Sequence, residues 1–157
     1  MKNLEILGLK NVGKEIDALH QFLADLHVFY ANVRGYHWNV KGTAFFALHE
    51  EFEKIYDAIA EQIDEVAERL LQLSETPENN LEALAKKAKL SAKGKPDEAK
   101  KMVEDLLEDF QYILASCRNI AELSDEAGDT VTNDLVVGMM PDMEKKIWMF
   151  NAYKQAK

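Results

Sequence analysis

Residues 44–73 read AFFALHEEFEKIYDAIAEQIDEVAERLLQL, thirty positions without a glycine or a proline. Leu48, Phe52, Ile55, Ile59, Ile63, Val66 and Leu70 recur at three- and four-residue spacing, the single apolar stripe of a long amphipathic helix. Taking His49 as zero and advancing about 100° per residue puts Glu53 near 40°, Asp64 near 60° and Glu68 near 100°. The apolar stripe centres near 290° on the same scale, so a histidine and three carboxylates occupy a separate face. Ala60 and Ala67 lie between them. The helix that fixes the fold therefore also carries the chemistry.

Working outward, the residues before it repeat the pattern. From about Asn11 to Asn39 the apolar positions Ile16, Leu19, Phe22, Leu23, Leu26, Phe29, Tyr30 and Val33 predict a first long helix, stopped by Lys41-Gly42-Thr43. After the break from Ser74 to Asn80, Leu81 to Leu90 reads as a short helix. Gly94-Lys95-Pro96 separates it from a third long helix over about Pro96–Ser124, with Pro96 suited to the first turn. Gly128 precedes a fourth over about Thr130–Tyr153, which Pro141 should kink, or split after Gly138. Seven glycines and three prolines in 157 residues are about half the usual share, as few turns and long elements require. We expect one all-α domain over residues 1–157, a four-helix bundle with a short extra helix in the long second connection and residues 1–10 as a flexible N-terminal segment.

Charge and cysteine exclude some classes. A net charge of −9 argues against a protein basic all over for nucleic acid. Cys117 stands alone and forms no internal disulfide, which suits a reducing compartment; a lone cysteine within a helix is usually a small buried hydrophobe. The opening MKNLEILGLK has no apolar stretch suited to a leader, and no run of about 18 apolar residues occurs anywhere. The expected location is the cytoplasm.

Imidazole with carboxylate oxygen is a donor set for Fe(II) or Mn(II), too hard for Cu(I). His37 can reach across the short turn to lie beside His49. Asp64, however, is fifteen residues beyond His49, roughly 22 Å along the helix at ~1.5 Å per residue. They cannot share one ion. Two copies of the helix packed antiparallel about a two-fold axis resolve this, since such a contact sets residue i against residue j reciprocally. One axis between Ala58 and Ile59 pairs His49 with Glu68 of the partner subunit and Glu53 with Asp64 of the partner subunit. Asp57 shares the stripe, but its mirror position is Ala60. The alternative is a merely solvated acidic face. His20 and His27, seven apart without matching carboxylates, read as packed or exposed polar residues.

Three stretches carry a resemblance: Tyr36-His37-Trp38-Asn39-Val40-Lys41-Gly42, Phe45-Phe46-Ala47-Leu48-His49-Glu50, and Ile63-Asp64-Glu65-Val66-Ala67-Glu68-Arg69-Leu70. Together they resemble the signature of the Dps family, the miniferritins of the ferritin-like superfamily. The likeness runs on through Gly128-Asp129, Asn133-Asp134-Leu135 and Ile147-Trp148-Met149. It implies a ferritin-like bundle assembled as a hollow dodecamer from two-fold dimers, with ferroxidase centres at the dimer interfaces. His37, His49 and Glu53 would come from one subunit, Asp64 and Glu68 from its mate. There Fe(II), as a two-iron centre, would be oxidised preferentially by hydrogen peroxide, and Fe(III) stored inside, protecting the cell and its DNA from oxidative damage. Zinc or manganese could take the same donors.

Within this resemblance, Glu53 stands where many relatives have Asp, which bears on the second iron position. Asp125, Asp129 and Asp134 match an acidic three-fold pore through which iron would enter, while Thr130 stands where some relatives have another Asp. Asp129 reads equally as an acid at a helix N-terminus. Trp38 resembles a family tryptophan thought to quench stray oxidising equivalents; packing at an interface is the other reading. The rival function is a DNA-compacting protein of starved cells. The terminal lysines Lys2, Lys10, Lys14, Lys154 and Lys157 are few for that role. Any DNA contact would run instead through residues 86–101, where Lys86, Lys87, Lys89, Lys93, Lys95, Lys100 and Lys101 outweigh Asp97 and Glu98 by +5.

Overall fold

A computed structural model describes residues 3–96 and 98–155. Its elements are α1 (Asn3–Leu7), α2 (Gly13–Asn39), α3 (Phe45–Gln72), α4 (Leu81–Lys87), α5 (Ala99–Ala127) and α6 (Thr130–Lys154). No strand occurs among the described residues. Helices α2 and α3 form one hairpin, α5 and α6 the other, and α2 packs against α5. The connection from α3 to α5 carries α4, which lies on α2. The expected extra helix is there.

The interior is one cluster drawn from all four long helices. Phe29 of α2 meets Phe110 of α5 edge to face at 5.2 Å, and Phe52 of α3 stacks on Phe150 of α6 at 6.2 Å between centroids. Cys117 belongs to this cluster, and burial pushes its thiol up to about 12, so it packs as an apolar residue. Polar side chains fasten the crossover. The fully buried Asp25 accepts from the backbone N–H groups of Lys89 (2.6 Å) and Leu90 (2.9 Å), from Gln21, and from the Tyr112 hydroxyl. Two turns further along, Asn32 donates to the Ser91 carbonyl and to Asp109 and accepts from the Lys93 N–H.

These bonds explain where the helix limits depart from the sequence reading. Helix α4 stops at Lys87 instead of Leu90 because Asp25 takes the next N–H groups and holds that backbone extended. Helix α5 begins at Ala99, three residues after Pro96, and runs on to Ala127. It ends where Gly128 turns left-handed (φ 71°), with Asp129 N–H donating to the Ser124 carbonyl and Gly128 N–H to that of Asp125. Helix α3 closes with the same double bond, but Ser74 occupies the left-handed position (φ 68°). Pro141 does not split α6, which is continuous from Thr130 to Lys154. Pro141 lies on the exposed side, so the Val137 carbonyl it leaves without an N–H partner can turn to water. Within the segment 1–10, Asn3–Leu7 form α1, and Leu4 and Leu9 rest against the core. Met1 and Lys2 fall outside the described residues, as do Asp97 and Lys157.

Candidate metal centre

Helix α2 ends at Asn39 and α3 begins at Phe45, so the chain must reverse within five residues. Gly42 makes this possible at φ 94°, and its carbonyl accepts from the Phe45 N–H at 3.1 Å. The reversal lays His37 against His49. Their rings stack with centroids 3.7 Å apart and 18° between planes. Nδ1 of His37 donates to the His49 carbonyl at 2.8 Å, and Nδ1 of His49 donates to the His37 carbonyl at the same distance. A carbonyl oxygen can only accept, so both protons sit on Nδ1. With Nδ1 so engaged, Nε2 is the nitrogen left on each ring to offer a metal its lone pair. His37 is buried and His49 partly so, with Phe45 stacked on His49 at 4.9 Å and Tyr56 edge-on to His37 at 5.3 Å.

The carboxylates are arranged differently. Glu53, Asp64 and Glu68 all lie on the exposed side of α3, together with Ala60, while Ala67 is half-buried. Because α3 is unbroken from Phe45 to Gln72, Asp64 and Glu68 stay far along the helix from the histidines. Among the described residues no three His, Cys, Asp or Glu side chains of one chain come together to hold a metal ion. The fold joins His37 to His49, places Glu53 one turn on, and leaves Asp64 and Glu68 facing outward.

Of the three candidate pore acids, Asp125 and Asp134 are exposed, but Asp129 is not. It caps α6, accepting from Thr132 N–H at 3.0 Å and from the Thr132 hydroxyl at 2.6 Å. Both its oxygens also accept from Arg69, at 2.8 and 2.6 Å. Burial opposes its charge, yet the bonds from Thr132 and Arg69 hold it down to about 2. Asp129 thus ties α3 to α6 instead of lining open surface. Glu15 of α2 is buried beside it, neither oxygen making a well-formed hydrogen bond. Burial, reinforced by Asp129 and opposed by Arg69 and Ser124, pushes Glu15 up to about 8.

Trp38 is two-thirds exposed, with the Arg34 guanidinium over its ring at 4.8 Å. His20 lies 3.7 Å from Glu75, and burial lowers the pKa of His27. Of the basic segment, Lys93 lies among Asp105, Glu108 and Asp109, and Lys101 pairs with Asp105, while Lys86, Lys87, Lys89, Lys95 and Lys100 are exposed. Sequence reading passed over Arg69, Glu15 and Tyr56. Only Tyr56 left a signal there, seven residues from His49 and so on the same side of α3.

The family model of the ferritin-like domain matches residues 16–156. A Dps protein from Vibrio cholerae O1, described as a member of a broad superfamily of ferritin-like diiron-carboxylate proteins, superposes with a TM-score of 0.86. It is 38% identical to this chain, covering 89% of it and 88% of the Vibrio chain. The chain belongs to the Dps family. A second Dps, from Staphylococcus aureus, agrees at a TM-score of 0.87 with 34% identity over 91% of this chain and 96% of that one. The DNA protection during starvation protein of Porphyromonas gingivalis is 45% identical over 83 residues, 53% of this chain and 52% of the relative. The chain thus spans about half the length of that curated relative. These likenesses make the bundle ferritin-like. Among the described residues no helix is long and apolar enough to cross a membrane.

Proposed function

We propose that this Dps-family chain oxidises Fe(II), preferentially with hydrogen peroxide, and stores the Fe(III) inside a hollow dodecamer in the cytoplasm. The observation that carries this reading is the reciprocal pair of Nδ1 bonds, which leaves two Nε2 lone pairs side by side. Each centre is completed across a two-fold axis: His37, His49 and Glu53 from one subunit, Asp64 and Glu68 of the partner subunit. Antiparallel packing of two α3 helices supplies the missing carboxylates, and the exposed Ala60 lets the backbones approach. Iron is the substrate, two ions per centre. Two Fe(II) give one electron each to one peroxide, whose O–O bond breaks to two hydroxides without releasing hydroxyl radical. The resulting ferric oxide is thereby kept away from the cell's DNA. Asp125 and Asp134 are the acids left to draw Fe(II) through a pore. Zinc and manganese fit the same donors, and zinc, having no redox chemistry, would inhibit.

Stopped-flow Fe(II) oxidation, run with peroxide and with dioxygen, tests this directly. His37→Ala with His49→Ala should abolish the fast phase, and so should Asp64→Ala with Glu68→Ala. Assemblies mixed from the two double variants should regain part of it, because some interfaces then hold one intact centre. An unchanged rate in the histidine variant would refute the assignment. The second reading, DNA compaction, draws on the exposed Lys86, Lys87, Lys89, Lys95 and Lys100 and the names of the curated relatives. A gel shift that vanishes between low and moderate salt is its signature.

A further inference from the structure

Ion pairs fasten α3 to α6 at two points. Near the start of α3, Lys146 Nζ of α6 donates to Glu51 Oε2 at 2.8 Å. Near its end, Arg69 donates to both oxygens of Asp129, the N-cap of α6, at 2.8 and 2.6 Å. On the angular scale that puts His49 at zero, Glu51 and Arg69 both fall near 200°. They are eighteen residues apart, five whole turns and roughly 27 Å of helix. One line along α3 thus carries both pairs, and it runs on the far side of the helix from the ligand face. Phe52, next to Glu51, stacks on Phe150 one turn beyond Lys146 and adds a contact at the first point. The Lys146 side chain is only 15% exposed, so its charge is held inside the α3–α6 contact and not spread over the surface.

We propose that Lys146 is a positioning residue of the metal centre: through Glu51 it fixes the rotation of α3, and with it the placing of His49 and Glu53 against His37. The inference rests on the ferroxidase reading above. Lys146 touches neither iron nor peroxide. It acts through Glu51, two residues from His49 on one side and two from Glu53 on the other. Burial of the apolar stripe is non-directional and by itself sets the rotation of α3 only loosely. Two hydrogen-bonded ion pairs five turns apart set it closely. The rotation matters because the histidines stand on different helices, His37 on α2 and His49 on α3. At a radius of ~6 Å, a turn of ~10° moves an α3 donor atom by about 1 Å relative to His37. Such a misplacement costs about a hundredfold in rate.

The test is Co(II) binding to the assembled protein, followed by visible absorption, beside stopped-flow Fe(II) oxidation. Ligand-field bands of Co(II) change in position and intensity with coordination geometry and need no turnover. Those belonging to the centre are the bands lost in His37→Ala with His49→Ala. Lys146→Met keeps the apolar stem and leaves Glu51 paired with Lys54 at 2.9 Å, so the chain should still fold. It should alter the Co(II) bands and slow Fe(II) oxidation about 10–100-fold. Glu51→Gln, which weakens the same contact from the α3 side, should shift both readouts the same way. Lys146→Arg keeps the ion pair and should recover most of both. Phe29→Ala, which loosens the core away from this contact, should keep the native bands and rate. Native bands and rate in Lys146→Met, no recovery in Lys146→Arg, or equal changes in Phe29→Ala overturn the positioning role and leave the ferroxidase reading standing. If the native protein oxidises no Fe(II), both fall together.

Discussion

Glu15→Gln should stabilise the protein, and by an amount set by pH. Glu15 is 1% exposed, beside Asp129, and its carboxyl titrates near 8 instead of the ordinary 4.5. The folded state therefore binds this proton more tightly than the unfolded chain does. Below pH 4.5 both states hold it and the residue costs nothing through ionisation. As pH rises from 4.5 towards 8, the unfolded chain releases the proton while the folded state keeps it, and stability falls by about 1.36 kcal/mol per pH unit. At pH 7 roughly two and a half units have passed, an upper bound of roughly 3 kcal/mol. Glutamine keeps the shape and never ionises, so it recovers that loss. For a chain of this size the gain corresponds to roughly 6–12 °C in melting temperature at pH 7, and to under about 1 kcal/mol at pH 5. Circular dichroism melts at fixed protein concentration, at pH 5, 6, 7 and 8, read the difference. A gap between variant and native protein that is constant across that range would refute the reasoning, because a pH-independent effect is packing and not linkage.

The same network predicts the opposite outcome for its cation: Arg69→Ala strands the buried Asp129 carboxylate and should cost about 3–5 kcal/mol by denaturant unfolding. Asp25→Ala removes the acceptor for Lys89 and Leu90 N–H, so hydrogen exchange at those two amides should accelerate far more than at core amides of α2. Phe29→Ala empties a fully buried ring position against Phe110 and should cost about 3–5 kcal/mol in the same unfolding assay. Ser74→Gly relieves a left-handed serine at the end of α3 and should gain roughly 0.5–1 kcal/mol.

What the sequence made legible follows from what is periodic. The stripe from Leu48 to Leu70 gives α3 and sets its ligand face opposite, because both depend only on residue spacing along one helix. The proximity of His37 and His49 was also readable, since the turn between them is too short to separate them. The reciprocal Nδ1 bonds were not, because they depend on backbone carbonyls that sequence does not place. Asp129 shows why an exposed role is hard to assign from local sequence. Its partner Arg69 lies sixty residues away, and only the packing of α3 on α6 turns a surface acid into a buried ion pair. The early end of α4 has the same origin, since Asp25 reaches Lys89 across the bundle. Pro141 does not split α6: it and Val137, whose carbonyl loses its N–H partner, both lie on the exposed side of the helix.

The central claim is that one centre is built from two chains. Anomalous diffraction at the iron edge, from crystals soaked anaerobically in Fe(II), measures it most directly. Iron density should lie between the Nε2 atoms of His37 and His49 and the carboxylates of Asp64 and Glu68 of the partner subunit, repeated at every two-fold interface. Iron bound wholly within one chain, or density absent from His37 and His49 while present elsewhere, would contradict it.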